Sequence, residues 1–217
     1  MWDAMRILVS ITILCLLSVF SLAPALAGTF EGTVKSNITS KGRTAEVTSY
    51  FKGARARAEV SVSGTQWLTL VIDTESQVAT TTDYLKKKTS RHTFAEWRAA
   101  AAKKPKRKKG PLIRTELKSD IAGYPVEKYV HTHEDGTSAE VWVTSQLPIS
   151  PLLLQTIGEL CSGQPLDDQV AQFINQGLVI MKIERRSANG SVVFLNEITE
   201  VKSQSLSANL FKISDPT

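Results

Sequence analysis

Two histidines, His131 and His133, are the residues of this chain whose types and spacing best fit metal chemistry. Alternate residues of a β-strand share a face, so both imidazoles can approach one metal ion, with Glu127 or Glu140 as a nearby oxygen ligand. Two histidines without a third clear ligand, beside a hairpin tip, are usually ordinary surface residues. We therefore predict no metal site.

Cys161 is the other residue that offers chemistry, as a nucleophile. No histidine lies near it in the sequence, and no Gly-x-Ser-x-Gly motif occurs in the chain. Scattered carboxylates such as Glu127 and Glu140 match the polar face of a sheet. The sequence therefore predicts a protein that is not an enzyme, with no catalytic residues and no cofactor. For Cys161 two roles stay open, a buried small apolar side chain, which we favour, or a disulfide with another chain.

Residues 1–27 have the features of an export signal. Arg6 precedes an apolar run, Ile7–Phe20, which is shorter than the ~20 residues that span a bilayer. Ala25–Ala27 then supplies small residues for cleavage. The pattern predicts a cleaved signal peptide and a periplasmic protein.

Residues 28–217 then form the exported part, a length that suits one domain. Cys161 is the one cysteine of this part, so no internal disulfide can form and the core alone must stabilise the domain. The start of translation, at Met1 or at Met5, stays open. We expect a monomer.

Positive charge is concentrated between Lys86 and Arg114, where twelve Lys and Arg residues stand against one acid, Glu96. We expect this basic insertion to project from the domain. Two roles stay open: a solvated loop that aids solubility, or a surface that docks on anionic lipid headgroups. Phe94 and Trp97 are candidates to enter such a membrane interface. Export removes nucleic acid as a routine partner. The predicted membrane-contact residues are Trp97, Lys103, Lys104, Lys106, Arg107, Lys108 and Lys109.

Period-two patterning dominates the exported part. Ala54, Ala56, Ala58, Val60 and Val62 share one face of a strand, and charged residues alternate with them. Short turns separate this strand from others of similar length, which is typical of an antiparallel meander. The predicted strands are 29–38, 44–52, 54–62, 67–73, 76–82, 178–185 and 192–201.

A further hairpin is predicted around Asp135-Gly136, because both residues tolerate positive φ in a two-residue turn. The resulting pairing puts Val130 opposite Val141 on an apolar face. It also puts Tyr129 opposite Trp142 on the other face, where both rings are exposed.

Helices are few. The alanine-rich stretch Phe94–Lys103, the apolar stretch Pro151–Leu160 and Gln169–Asn175, which follows two acids, each favour a helix. The helices lie between groups of strands, which indicates the α+β class rather than a sandwich.

Several stretches, in this order, resemble a bacterial domain-of-unknown-function family with a LolA-like fold. They are Tyr50–Gly53, Ile121–Tyr129, Glu140–Val143, Glu197–Val201 and Leu210–Ile213. The resemblance covers nearly all of the exported part. It implies a curved antiparallel half-barrel, covered by two or three helices, with an apolar concave face. Relatives of that fold carry lipids or lipoproteins across the periplasm, although fold alone does not fix function.

The small side chains of the strand 54–62 leave volume inside such a curved sheet. Either a helix, Pro151–Leu160, fills that volume or the acyl chain of a lipid or lipoprotein does. We predict a binding protein for a lipid or acylated ligand; the alternative is an envelope scaffold with a filled core, which uses Tyr129, Trp142 and the basic segment as contact surfaces. The predicted ligand-binding residues are Val60, Trp67, Leu70, Val130, Val141 and Leu153.

Overall fold

The computed structural model describes residues 29–101, 111–133, 135–162 and 168–213. The predicted signal peptide lies outside these residues. Within them, eleven strands form one antiparallel sheet. The strands are β1 (Gly32–Ser40), β2 (Arg43–Lys52), β3 (Arg55–Val62), β4 (Thr65–Asp73), β5 (Val78–Asp83), β6 (Lys88–Thr93), β7 (Ile113–Ile121), β8 (Tyr124–Thr132), β9 (Ser138–Thr144), β10 (Val179–Arg186) and β11 (Val192–Ser203).

Across the sheet the strands follow the order β6-β5-β4-β3-β2-β1-β11-β10-β9-β8-β7. Two up-and-down meanders, β1 to β6 and β7 to β11, therefore join where β1 pairs with β11. The sheet is open and curved and the helices are few. The predicted α+β class with a curved antiparallel sheet is confirmed.

The helices are α1 (Phe94–Ala101), α2 (Pro151–Ser162) and α3 (Asp168–Asn175), with a short 3-10 helix at Ala208–Phe211. Thr93 and Glu96 form a capping box at the start of α1, because each side chain accepts a hydrogen bond from the other residue's backbone N–H, at 3.2 and 2.9 Å. All three predicted helices are present. No helix in the described ranges is long and apolar enough to cross a membrane.

One row of side chains shows how the alternation builds the core. Phe51, Ala56, Ile72 and Ala79 are register neighbours on four successive strands, and all are buried. Val71, next to Ile72, points to the opposite face by alternation and packs there against Leu206 and Phe211 of the C-terminal segment. Both faces of this half of the sheet are therefore covered near one end.

The basic segment contributes more regular structure than expected. Residues 88–93 form β6, which pairs with β5 along its length, and α1 follows directly. The expected projecting loop therefore does not include residues 88–101, while residues 102–110 lie outside the described part. Lys88–Thr93 is an edge strand made up of polar residues, which is common at the edge of a sheet. The strand was missed because it has no alternating apolar residues.

The predicted register of the β8–β9 hairpin is wrong by one residue. Tyr129 pairs with Val141 and Val130 pairs with Glu140. The backbone N–H of His133 donates to Thr137 O at 2.8 Å, and that of Gly136, at φ 78°, donates to His133 O at 3.0 Å. The loop therefore holds three residues with glycine at the left-handed position, and the added residue shifts the pairing.

Strand ends gather at two opposite ends of the sheet. One end, which we call the turn rim, holds the β1–β2, β3–β4, β5–β6, β8–β9 and β10–β11 turns and the start of β7. Gly136 and Ala188 show that neighbouring turns touch there, since a Cβ on Gly136 would lie 3.3 Å from Ala188 Cβ. The opposite end holds the other turns, the start of α1, the loop after β9 and both termini of the described sheet.

That opposite end is fastened by one carboxylate, and we call it the clasp end. Glu31 Oε1 accepts from Lys52 Nζ at 2.7 Å and from the Leu206 backbone N–H at 2.6 Å. Lys52 Nζ also donates to Leu206 O at 2.6 Å. The three groups tie the start of β1, the end of β2 and the C-terminal segment together.

Candidate functional site

Helix α2 covers the sheet with an unusual buried stripe. Leu153, Thr156 and Glu159, spaced three apart, are its most buried residues. Leu153 is 1% exposed and belongs to the same buried cluster as Phe51, Ala56 and Ile72. The apolar side chains Leu154, Ile157 and Leu160 pack beside that cluster but stay only half-buried. The helix therefore leaves part of its apolar surface open.

A carboxylate on the buried stripe links α2 to α1. Glu159 Oε2 lies 3.0 Å from Arg98 Nε, and Glu159 Oε1 accepts from Gln155 Nε2 at 3.2 Å. Burying a carboxylate is costly unless it is paired, and Arg98 supplies that pairing while remaining half-exposed. The ion pair therefore fixes α1 against α2 across the interior face.

Beyond α2, the same face of the sheet continues towards the turn rim as an apolar surface that stays half-exposed. Ala58 pairs with Leu70, and Val60 pairs with Val47 on one side and Leu68 on the other. All five are only half-buried, whereas the next row towards the clasp end is fully buried. We call the set Val47, Ala58, Val60, Leu68 and Leu70 the apolar trough. Leu70 packs against the buried cluster that includes Leu153, and the other four continue the same face of the sheet towards the turn rim.

The six predicted ligand-binding residues fall in several places. Val60 and Leu70 lie in the apolar trough, and Leu153 lies in the core beside it. Trp67 lies near the turn rim and is 36% exposed. Leu70 packs against the buried cluster that holds Leu153, so the structure brings these two together, and Val60 lies further along the same face of the sheet.

The other two belong to the second half of the sheet. Val141 is buried against Phe173 of α3, in a separate cluster with Val143. Val130 pairs with Glu140, so it lies on the face opposite to Val141 rather than beside it. The expectation that Val130 and Val141 share one apolar face fails with the register.

A cleft of about 250 Å³ lies elsewhere, at the outer strands of the second half. Its volume is below the roughly 300–1,000 Å³ of common ligand pockets. Mixed polar and apolar groups line it, among them Lys118, Glu127, Val143 and Gln146. The cleft does not offer the apolar hollow that the sequence predicts.

The prediction that Tyr129 and Trp142 form an exposed contact surface is wrong. Tyr129 packs against the ring of Phe173, with ring centroids 4.6 Å apart. Trp142 packs beside the main core, and Lys128 Nζ lies 5.4 Å from its ring centroid. The one-residue register shift separates the two rings onto opposite faces, and each is covered there.

A row of charged side chains crosses β8 to β11, and the sequence did not predict its ion pairs. Lys128 pairs with Glu140 at 2.7 Å, and Lys182 lies 3.6 Å from Glu184 and 3.9 Å from Glu197. Opposite charges on neighbouring strands contribute roughly 0.2–1 kcal/mol each. The alternation of charged residues along each of these strands is visible in the sequence. Which charges pair with one another depends on how neighbouring strands align, and this register was not known.

The histidine pair is a structural contact. His131 is buried, and its Nδ1 lies 3.2 Å from the carbonyl of Pro111, so that nitrogen is assigned as the donor. Its Nε2 lies 3.1 Å from the ring nitrogens of His133. The described residues contain no group of three or more potential metal ligands. The pair connects the end of β8 to the residues that lead into β7.

The predicted membrane contacts divide into two groups. Trp97 is half-buried on α1, and Lys103, Lys104, Lys106, Arg107, Lys108 and Lys109 lie outside the described residues. Phe94 is 5% exposed and sits in the main core, so the suggestion that it enters a membrane interface is wrong. The side chain of Cys161 also lies outside the described part of the structure.

Comparison with known proteins identifies the family. Residues 30–215 match the family described as Domain of unknown function (DUF4412), and the chain belongs to it. The predicted resemblance to such a family with a LolA-like fold is confirmed. No curated protein matches the chain in sequence.

Solved structures with similar folds have little sequence in common with the chain. An uncharacterised conserved protein from Thermus thermophilus is 10% identical, with 85% of this chain and 86% of that chain covered and a TM-score of 0.49. MucB, in a complex with MucA, is 12% identical, with coverages of 86% and 54% and a TM-score of 0.48. This chain therefore spans about half of the MucB chain. The lipoprotein LppX from Mycobacterium tuberculosis is 11% identical, with coverages of 83% and 90% and a TM-score of 0.39.

Proposed function

We propose that this protein is a non-enzymatic binding protein of the bacterial periplasm that holds a lipid or acylated ligand in the apolar trough. The observation that supports the proposal is the half-exposed set of apolar side chains beside α2. A soluble domain normally covers such a surface, and a hydrocarbon chain gains about 0.8 kcal/mol for each CH₂ group that it buries. The predicted signal peptide at residues 1–27 supports the location.

In this proposal α2 forms one wall of the site. Its half-buried residues Leu154, Ile157 and Leu160 lie beside the core that the trough adjoins. The ion pair of Arg98 with Glu159 holds α1 against that wall. The basic residues 103–109 and Trp97 contact anionic membrane headgroups, and the protein acts as a monomer.

The test fills the trough with the variant Ala58→Phe. Protein purified from the periplasm of a Gram-negative host is analysed by native mass spectrometry and titrated with a fluorescent fatty acid. We expect wild-type protein to bind the probe and the variant to lose at least about tenfold in affinity, because the ring occupies the space of the acyl chain. The variant's free energy of unfolding should stay close to that of wild type.

The matched control is Ala95→Phe, which adds the same ring at an exposed position of α1. It should bind the probe as wild type does. A wild-type protein that binds neither the probe nor any copurified lipid contradicts the proposal. If Ala58→Phe is then also destabilised by the ~1–3 kcal/mol typical of overpacking, the interior is filled and the scaffold function is the correct one.

A further inference from the structure

The large apolar side chains that the described residues leave exposed are not scattered evenly. Five of the seven exposed large apolar side chains among the described residues lie in the turn rim or within three residues of a strand end there: Leu85 (64%), Ile113 (63%), Val192 (48%), Val193 (47%) and Trp67 (36%). The other two, Leu117 and Leu152, lie in the middle of β7 and at the start of α2. The clasp end instead buries its large apolar residues, among them Phe30, Phe94, Leu147 and Ile149. Most of the exposed large apolar side chains in the described residues therefore lie at the turn rim.

Basic residues surround these apolar groups. The rim segments carry Lys41, Arg43, Lys86, Lys87, Lys88, Arg114, Arg185 and Arg186. The acids among them are fewer, and three of the cations are already paired: Lys86 with Asp83 at 2.9 Å, Arg114 with Glu127, and Arg186 with Glu184. The N–H and ammonium groups of Lys86 also lower the pKa of the Asp83 carboxyl, so this acid stays ionised and the pair is neutral. The rest of the rim keeps a positive balance.

The local structure of the β5–β6 turn presents both kinds of group together. The backbone N–H of Tyr84 donates to Trp67 O at 3.0 Å, so the indole and the exposed Leu85 belong to neighbouring chain segments. Lys87 adopts a positive φ of 49° in the same turn. Two of the three consecutive lysines, Lys87 and Lys88, have no ion pair among the described residues.

We infer that the turn rim is a docking surface for an anionic lipid bilayer. Apolar side chains placed singly among cations, along the end of a curved sheet, fit a flat interface where acyl tails lie beneath charged headgroups. A protein partner would instead favour one compact apolar cluster at the centre of its contact. The inference extends the membrane contact of the proposed function from residues 103–109 to the folded rim. The inference rests on one part of the proposed function, the contact of the protein with a membrane, and not on ligand binding in the apolar trough.

The experiment measures binding of the purified full chain to vesicles of phosphatidylglycerol mixed with phosphatidylcholine, and to vesicles of phosphatidylcholine alone. We expect cosedimentation with the anionic vesicles at low salt, and a loss of about tenfold in affinity for Leu85→Ser/Val192→Ser/Val193→Ser. Lys87→Gln/Lys88→Gln should bind less tightly and with a weaker dependence on salt. The matched controls are Leu152→Ser, which is exposed on α2, and Lys202→Gln/Lys212→Gln near the clasp end. Both should bind as wild type does.

Tryptophan emission separates the rim from the basic arm. Vesicles should shift the emission of wild-type protein to shorter wavelength, and Trp67→Phe should remove a larger part of the shift than Trp97→Phe does. The reverse result, or loss of binding in Lys106→Ala/Arg107→Ala/Lys108→Ala/Lys109→Ala with no loss in the rim variants, overturns the inference. Wild-type protein that ignores anionic vesicles also overturns it and leaves a protein partner for the rim. Fatty-acid binding in solution, measured without vesicles, tests the trough separately.

Discussion

The two ends of the sheet use the same kinds of residue in opposite ways. At the clasp end, Leu147 is 1% exposed and the charges are tied across the chain, as Glu31 is to Lys52 and Leu206. At the turn rim, Leu85 is 64% exposed and Lys87 and Lys88 remain without an ion pair among the described residues. The difference teaches that fully buried apolar side chains and long-range charge pairs stabilise the clasp end, while the turn rim leaves its corresponding groups available for the membrane docking that we propose.

The largest effect should come from matched leucine truncations at the two ends. Leu147→Ala removes a fully buried side chain, and we expect it to lower the free energy of unfolding by about 2–5 kcal/mol. Leu85→Ala should change it by no more than about 0.5 kcal/mol. Chemical denaturation of both variants measures the difference. Equal losses would contradict the division between the two ends.

A smaller difference in stability is expected when a glycine at each end is replaced by alanine. A Cβ on Gly32 would lie 2.1 Å from the carbonyl oxygen of Lys202, so Gly32→Ala must push β1 and β11 apart. We expect a loss of about 3 kcal/mol, at the upper end of ordinary overpacking. Gly42 in the turn rim has open space around it but a φ of 73°, and Gly42→Ala should lose about 1 kcal/mol. Thermal unfolding followed by circular dichroism should rank the two; the opposite ranking would show that the junction of β1 with β11 tolerates expansion.

The smallest effect concerns pH. The Leu206 backbone N–H and the Lys52 ammonium lower the pKa of Glu31 below its usual 4.5. Stability from this lowered pKa is present above the usual value and is lost as the pH falls through the folded-state pKa. We expect Glu31→Gln to reduce the thermal midpoint slightly at neutral pH, with the difference from wild type shrinking below pH 4.5.

Asp83→Asn is the corresponding change at the turn rim. The pKa of Asp83 is also lowered, but its partner Lys86 is three residues away in the same turn. The variant should leave the midpoint nearly unchanged at every pH, because no distant segment is released. A pH-independent effect of Glu31→Gln would mean that the clasp depends on shape rather than on charge.

Sequence alone predicted the fold where local pattern decides the structure. Alternation in β3 and the acids at the start of α3 specified the elements, and the ordered motifs indicated the family. The row through Ala56 and Ile72 then follows from strand pairing in the expected meander. These features depend on residues close together in the chain, so they were visible without coordinates.

The candidate site was less predictable because it depends on the pairing of strands that lie far apart in the sequence. Leu70 and Val60 lie on one face of the adjacent strands β4 and β3, where the local order of the predicted meander puts them. Val130 was misplaced by a single extra loop residue at 133–137, which turned the face of the hairpin. That Ile113, Val192 and Leu85 lie at the same end of the sheet was invisible, because it requires the order of all eleven strands.

The connection from β6 to β7 joins the two outermost strands of the sheet. Ten strand spacings of about 4.8 Å make a flat sheet about 48 Å wide. The connection starts at the clasp end and finishes at the turn rim, and it includes eight residues of α1, which advance only about 1.5 Å each. To span a flat sheet, this connection would therefore have to be almost fully extended. Bending the sheet brings its two free edges closer together and shortens the distance that the connection must span. The number of residues in this connection therefore limits how far the sheet can flatten.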